Sequence, residues 1–255
     1  MKILVINDDG INAPGIWAAA RALRQVGEVV VVAPDRQQSG VGACLTLHAP
    51  VKAGEWAVNQ EFKGEGDGLY PVSAFSVEGT PGDSCILALE SLVQNVDLVV
   101  SGVNAGSNVG YDVMVSGTVG GAVQSYVRGI NTIAISVAAV TNTKYDIAEK
   151  ILKPLAEKFV DYTGDTLFLN VNIPKIEMNQ VAGVKVTRLA HTNPRYLPTL
   201  KLLSRTESPI QKVRAQLQPA SATSHNPIHC RYHLKKKLVE GFSSQMLPPC
   251  PLRYN

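Results

Sequence analysis

Asp8 and Asp9 stand side by side directly after an apolar run, KILVIN at residues 2–7. Two adjacent carboxylates at a buried strand end repel each other unless a cation neutralises them. In the bland alternative one Asp caps the next helix while the other faces water, and for an isolated pair that reading would prevail. Here Ser39 and Asn104 arrive on loops after two other apolar runs. Carboxylates with hydroxyl and amide oxygens form a hard-ligand set, suited to Mg²⁺, Mn²⁺ or Ca²⁺ and poor for zinc or copper. The expectation is a divalent metal.

The glycine-rich run SGVNAGSNVGYDVMVSGTVGG at residues 101–121 is the second chemical feature. Its Ser116-Gly117-Thr118 leads straight into a helix. A helix N-terminus offers free N–H groups and partial positive charge, which suit a phosphate, and glycine lets backbone approach an anion closely. Ordinary N-capping by Ser116 or Thr118 is the competing role, and the two can coexist. Arg36 could approach a phosphate or pair with Asp35, and His48 is expected to pack beside a strand. No G-x-x-x-x-G-K-[ST], no G-x-G-x-x-G after the first strand and no G-x-S-x-G elbow occurs, which argues against P-loop NTPases, dinucleotide oxidoreductases and nucleophile-elbow acyl hydrolases alike.

The elements that position these residues read as an α/β chain. Strands are expected near 2–7, 28–33, 73–77, 97–100, 132–137 and 166–171. Helices are expected near 16–26, 82–93, 117–128 and 144–162. The apolar runs lack alternation, as expected of parallel strands covered on both faces. Alternating strands and helices imply βαβ units in a three-layer sandwich with a mostly parallel sheet. In such sheets ligands bind beyond the carboxyl ends of the strands. Four of those ends carry Asp8-Asp9-Gly10, residues 34–40 (PDRQQSG), residues 78–83 (EGTPGD) and residues 101–108 (SGVNAGSN), and together they make a site. Residues 59–71 read as an exposed loop. Residues 183–190 (GVKVTRLA) alternate and read as an edge or hairpin strand. A core at 1–190 followed by a basic arm at 191–255 is the expected division.

The chain has 255 residues, is 45% hydrophobic and 18% charged, and carries a net charge of +3. Such a composition suits a globular body able to bury a real core. The charge is uneven: residues 1–194 hold 14 Lys and Arg against 19 Asp and Glu, and residues 195–255 hold 10 against 2. A basic tail can attract polyanions, although a solvated appendage is the plainer reading. Four cysteines without C-x-x-C spacing fit a reducing compartment, and the opening apolar run is too short for a secretory signal. A cytoplasmic protein with no membrane span is expected.

Asp8-Asp9-Gly10, APDRQQSG at 33–40, LTLH at 45–48, EGTPGDS at 78–84, SGVNAGSNVG at 101–110 and SGTVGGA at 116–122 together resemble the SurE family, stationary-phase survival proteins that are 5'/3'-nucleotidases. The resemblance covers roughly residues 1–190, with the motifs in the same order. It implies a Rossmann-like core and one divalent cation per subunit, Mg²⁺ or Mn²⁺, held by Asp8, Asp9, Ser39 and Asn104. It also implies that Asn108 and Ser116-Gly117-Thr118 surround the phosphate. Hydrolysis of nucleoside 5'- and 3'-monophosphates, exopolyphosphatase activity on polyphosphate, and a homodimer or homotetramer are further implications.

The chain departs from the family pattern at its end. SurE proteins usually close with an apolar β segment of the kind GYVSITPL, whereas residues 221–255 here are basic and contain proline and cysteine, with no such strand pattern. Divergence and a frame change in the coding sequence both account for this. His225, His229 and His233 recur every four residues around Cys230, as ligands on a helix face do, but Pro227 interrupts any such helix. Solvated histidines in a basic arm are the expectation.

For chemistry, the sequence leaves two routes open: in-line attack by an activated water with Asp8 or Asp9 as base, or direct attack by one Asp to give an aspartyl phosphate. A non-catalytic, metal-dependent nucleotide-binding or signalling module is the competing class, since receiver domains also place an acidic pair after their first strand. The phospho-accepting Asp and later Lys of that class find no convincing counterpart here. A nucleic-acid binder using the tail has no aromatic interleaving to support it.

Overall fold

A computed structural model of the chain describes residues 1–63 and 68–190. The expected arm at 191–255, with His225, His229, His233 and Cys230, lies outside the described residues.

The first run forms β1 (Lys2–Ile6), and Pro14 occupies the first turn of α1 (Pro14–Leu23), where its missing N–H costs nothing. The chain continues through β2 (Glu28–Pro34), β3 (Ala53–Glu55), β4 (Val72–Val77), α2 (Pro81–Leu87), β5 (Leu98–Ala105), α3 (Gly117–Tyr126), β6 (Asn131–Val137), α4 (Asp146–Glu157) and β7 (Phe168–Ile173). The seven strands lie in the order β3-β4-β2-β1-β5-β6-β7, and only β3 runs antiparallel to its neighbour.

Successive side chains of a strand point to opposite faces, and β1 sorts its residues accordingly. Ile3 and Val5 join the core under α1 and α4, with Ile16, Leu23, Ile151 and Leu152. Leu4 and Ile6 face the other way, with Val30, Val32 and Cys85 on the α2 side. α3 covers the same face farther along, through Val119 and Ala122 on Ala134. These are the expected three layers and mostly parallel sheet. α4 buries Ile147, Ala148, Ile151, Leu152, Leu155 and Ala156, the spacing of a one-sided helix.

The chain lays β2 and β4 on one side of β1, then crosses to lay β5, β6 and β7 on the other. The sheet order therefore reverses between β1 and β5. A crevice opens at such a reversal beyond the carboxyl ends, where Asp8-Asp9 and Asn104 lie.

Four expectations are corrected. Residues 101–105 continue β5; pairing with β6 breaks after Ser101 and resumes at Asn104↔Ser136. The stretch 59–71 is not wholly exposed. Phe62, in the short turn Gln60–Phe62, is fully buried, 5.0 Å from Trp17, and the guanidinium of Arg24 lies 5.9 Å from its ring. Arg24 also donates to the carbonyls of Tyr70 and Glu61, which ties those two residues to the end of α1. Residues 183–190 form no strand among the described residues and are exposed, because their alternating pattern finds no edge to pair with there. His48 packs beside no strand; it is exposed in a bend.

Candidate active site

The acidic pair is set by a turn that Asn7 encloses. Buried Asn7 donates from Nδ2 to the Gly10 carbonyl (2.9 Å), and its Oδ1 accepts from the Gly10 N–H (3.2 Å). Gly10 has φ of +93°, and a Cβ there would sit 3.0 Å from the Arg36 backbone, so the turn requires glycine. The first loop and the loop after β2 thus touch. The Gln38 N–H donates to the Asp8 carbonyl at 2.7 Å, which docks residues 36–39 beside the acids.

Asp8 is only 3% exposed. Its Oδ1 accepts a 2.6 Å hydrogen bond from Thr118 Oγ1, in the first turn of α3. A Cβ on Gly117 would lie 2.7 Å from the Asp8 Cβ and 2.9 Å from its Oδ2, so glycine alone allows the helix to approach this closely. Ser116 caps α3, its Oγ accepting from the Val119 N–H at 3.1 Å. The capping role is thus realised, and Gly117 and Thr118 bring the positive end of the helix against a carboxylate.

Burial pushes the Asp8 carboxyl up to about 6; the Thr118 hydrogen bond opposes this and the neighbouring Asp9 charge adds to it. Burial also raises Asp9, against hydrogen bonds from the Ala105 N–H and the Gln37 amide. The Ala105 contact is 3.4 Å and joins the end of β5 to the acidic pair. Gln37 in turn donates to Ser39 Oγ at 3.1 Å, so the second loop reaches both Asp9 and Ser39. Asn104 is buried, its Nδ2 donating to the Gly106 carbonyl at 2.6 Å. An amide so oriented leaves Oδ1 as the atom able to accept a donor or a cation.

Two carboxylates raised by burial at the mouth of a sheet, with a hydroxyl on the loop after β2 and an amide oxygen at the end of β5, fit a hard divalent cation. Among the described residues no group of three or more His, Cys, Asp and Glu converges, so neutral oxygens must complete any set.

Asn108 is buried and bound to β6 and β7 rather than to the acidic pair: its Nδ2 donates to Ser136 Oγ at 2.9 Å. Arg36 is exposed and pairs with Asp35 at 3.0 Å. Asp83 serves the loops. Its carboxylate accepts from the Thr80 N–H (2.9 Å), the Thr46 N–H (2.9 Å) and the Thr46 hydroxyl (2.7 Å), capping α2 while fastening residues 44–46 to it. Burial raises the Asp83 carboxyl, but these bonds outweigh it and the net shift is downward. The sequence reading placed Gln37 and Asp83 in the rim loops without giving either a role, and it left Asn7 as the end of a strand run. Only Asp83 left a signal, the T-x-x-D spacing of a capping box.

A family model described as Survival protein SurE matches residues 3–195. The chain belongs to the SurE family. A SurE 5'-nucleotidase of Dehalococcoides mccartyi (strain CBDB1) is 44% identical over 197 residues, covering 75% of this chain and 70% of the relative. That of Trichodesmium erythraeum is 36% identical over 260 residues, covering 100% of this chain and 92% of the relative. The crystal structure of the SurE protein from Aquifex aeolicus superposes with a TM-score of 0.64 at 35% identity, over 74% of this chain and 72% of that one. The SurE match spans the sheet described above, from Ile3 of β1 through β7. Among the described residues no helix is long and apolar enough to cross a membrane.

Proposed function

We propose that this SurE chain is a phosphoric monoester hydrolase that releases phosphate from nucleoside 5'- and 3'-monophosphates in a divalent-metal-dependent reaction. The observation that carries the reading is the junction of Asp8 with the start of α3. A buried carboxylate held by Thr118 and abutted by Gly117 puts a cation's natural partner beside a helix terminus suited to phosphate. The relatives named as 5'-nucleotidases support the substrate class.

Asp8, Asp9, Ser39 and Asn104 would hold the cation, Mg²⁺ or Mn²⁺, one per subunit. When bound, it supplies Lewis acidity toward a phosphoryl oxygen and makes a neighbouring water more acidic. The chain's own residues do the remainder. Thr118 and the buried turn around Asn7 orient Asp8. Asp9, the less buried of the two acids, accepts the proton of the attacking water. Backbone N–H groups at Ser116-Gly117-Thr118, with Asn108, meet the charge on the equatorial phosphate oxygens.

The same site takes terminal phosphates of polyphosphate as a secondary substrate. The protein is cytoplasmic and assembles as a homodimer or homotetramer, as in the family resemblance. Phosphate release from a panel of 5'- and 3'-monophosphates, with Mn²⁺, Mg²⁺ or chelator, tests the reading. Release with metal and none with chelator is the expected result. Tight nucleotide binding without turnover under any metal would favour the binding-module alternative.

A further inference from the structure

Asn108 is gripped from two strands that lie far along the chain. Its N–H donates to Asn172 Oδ1 at 2.8 Å, and its carbonyl accepts from Nδ2 of Asn170 (2.9 Å) and of Asn172 (3.1 Å). Its own Nδ2 donates to Ser136 Oγ at 2.9 Å. Asn172 Nδ2 also reaches Asn170 Oδ1 at 3.2 Å, so the two asparagines brace each other. Ser136 and Asn172 are register partners on β6 and β7, and Asn170 precedes Asn172 by two positions on the same face.

Asparagine is disfavoured in strands, so two on one face of β7 call for a reason. Generic loop packing would not use three side chains on one residue. Both lone pairs of the Asn108 carbonyl and its N–H are taken, which prevents rotation of the flanking peptides. An amide has two N–H donors, and Ser136 takes one, fixing the plane in which the other must donate.

We infer that Asn170, Asn172 and Ser136 are positioning residues that set the phosphate-binding loop by way of Asn108. This rests on the reading of Asn108 as a phosphate contact. The clasp makes substrate binding depend on β7, whose side chains otherwise only pack.

The test uses the full chain with Asn172→Ala, Asn108→Ala and the double variant, comparing KM and kcat for 5'-AMP and competitive inhibition by inorganic phosphate. Asn172→Ala is expected to raise KM and the inhibition constant about tenfold, with a smaller change in kcat. The double variant is expected to be no worse than Asn108→Ala, because both act through one group. Fully additive losses, or wild-type phosphate inhibition in Asn172→Ala beside an impaired Asn108→Ala, would overturn the inference while leaving the phosphate reading intact. Normal turnover by Asn108→Ala would instead remove the phosphate reading and the inference with it. If Asn172→Ala fails to fold, Asn170→Ala, at an exposed position, is judged by the same criteria.

Discussion

Thr118 Oγ1 lies 2.6 Å from Asp8 Oδ1, joining the start of α3 to the loop after β1 across 110 positions of sequence. Under the proposed function the contact gives one side chain two tasks, since Thr118 sits in the helix turn proposed to face phosphate and also orients an acid proposed to hold the cation. Replacing it by valine keeps the shape and removes the donor. Thr118→Val is expected to weaken Mn²⁺ binding about 10- to 100-fold, as loss of an outer partner of a metal ligand does. Calorimetric titration with Mn²⁺ checks this; unchanged affinity would show that Asp8 is oriented by packing alone.

Asp8 also predicts a conflict between function and stability. Its carboxyl is raised from 3.8 to about 6 by burial, so the folded metal-free chain binds this proton more tightly than the unfolded chain does. The favourable contribution is complete below about pH 4 and is lost as pH rises through about 6, at a cost of about 3 kcal/mol. Asp8→Asn should therefore raise the Tm of the metal-free protein at pH 8, with the gain fading by pH 4. Thermal unfolding in chelator at both pH values checks it. An equal difference at both would contradict the assigned cause.

Asp83 predicts the opposite pH sense. Its carboxyl is held below the ordinary range by bonds from Thr80 and Thr46, against burial. Its stabilisation is present above the unfolded value of 3.8 and is lost as pH falls through the lower folded value. Asp83→Ala is expected to cost about 2–4 kcal/mol at pH 7, combining a lost cap with unpaired N–H groups. Urea unfolding of variant and wild type should draw together as pH falls below the unfolded value of 3.8. A constant gap would place the loss in packing.

The legible parts of this molecule are those written in local pattern. The run before Asp8, the proline that opens α1 and the one-sided spacing of α4 each name their element without outside help. The end of β5 was hidden because Ser101, Gly102 and Asn104 have the composition of a loop, and only pairing with β6 makes them strand. Phe62 was hidden in a polar stretch because its burial depends on Trp17 and Arg24, distant in sequence. β3 has three residues, Ala-Gly-Glu, which carry no strand signal and exist by pairing with β4. Residues 183–190 show the converse, a good strand pattern with no partner among the described residues. At the site, Asp8, Asp9, Ser39, Asn104 and Ser116-Gly117-Thr118 could be singled out by residue type and by family resemblance. The bonds that orient them from Gln37, Thr118 and β7 cross between elements and have no linear signature, and the local turn that Asn7 closes onto Gly10 is written in no motif the sequence reading used.

Asp9→Asn tests the central claim most directly, through phosphate release from 5'-AMP in saturating Mn²⁺ beside calorimetric Mn²⁺ titration of the same folded protein. The change keeps size and hydrogen-bonding reach while removing one charge from the pair and the proposed base. The account predicts that release falls by at least about 100-fold and that Mn²⁺ affinity drops with it. Release at the wild-type rate, with Mn²⁺ bound as before, would contradict the assignment of the acidic pair as the metal-holding centre of a nucleotidase.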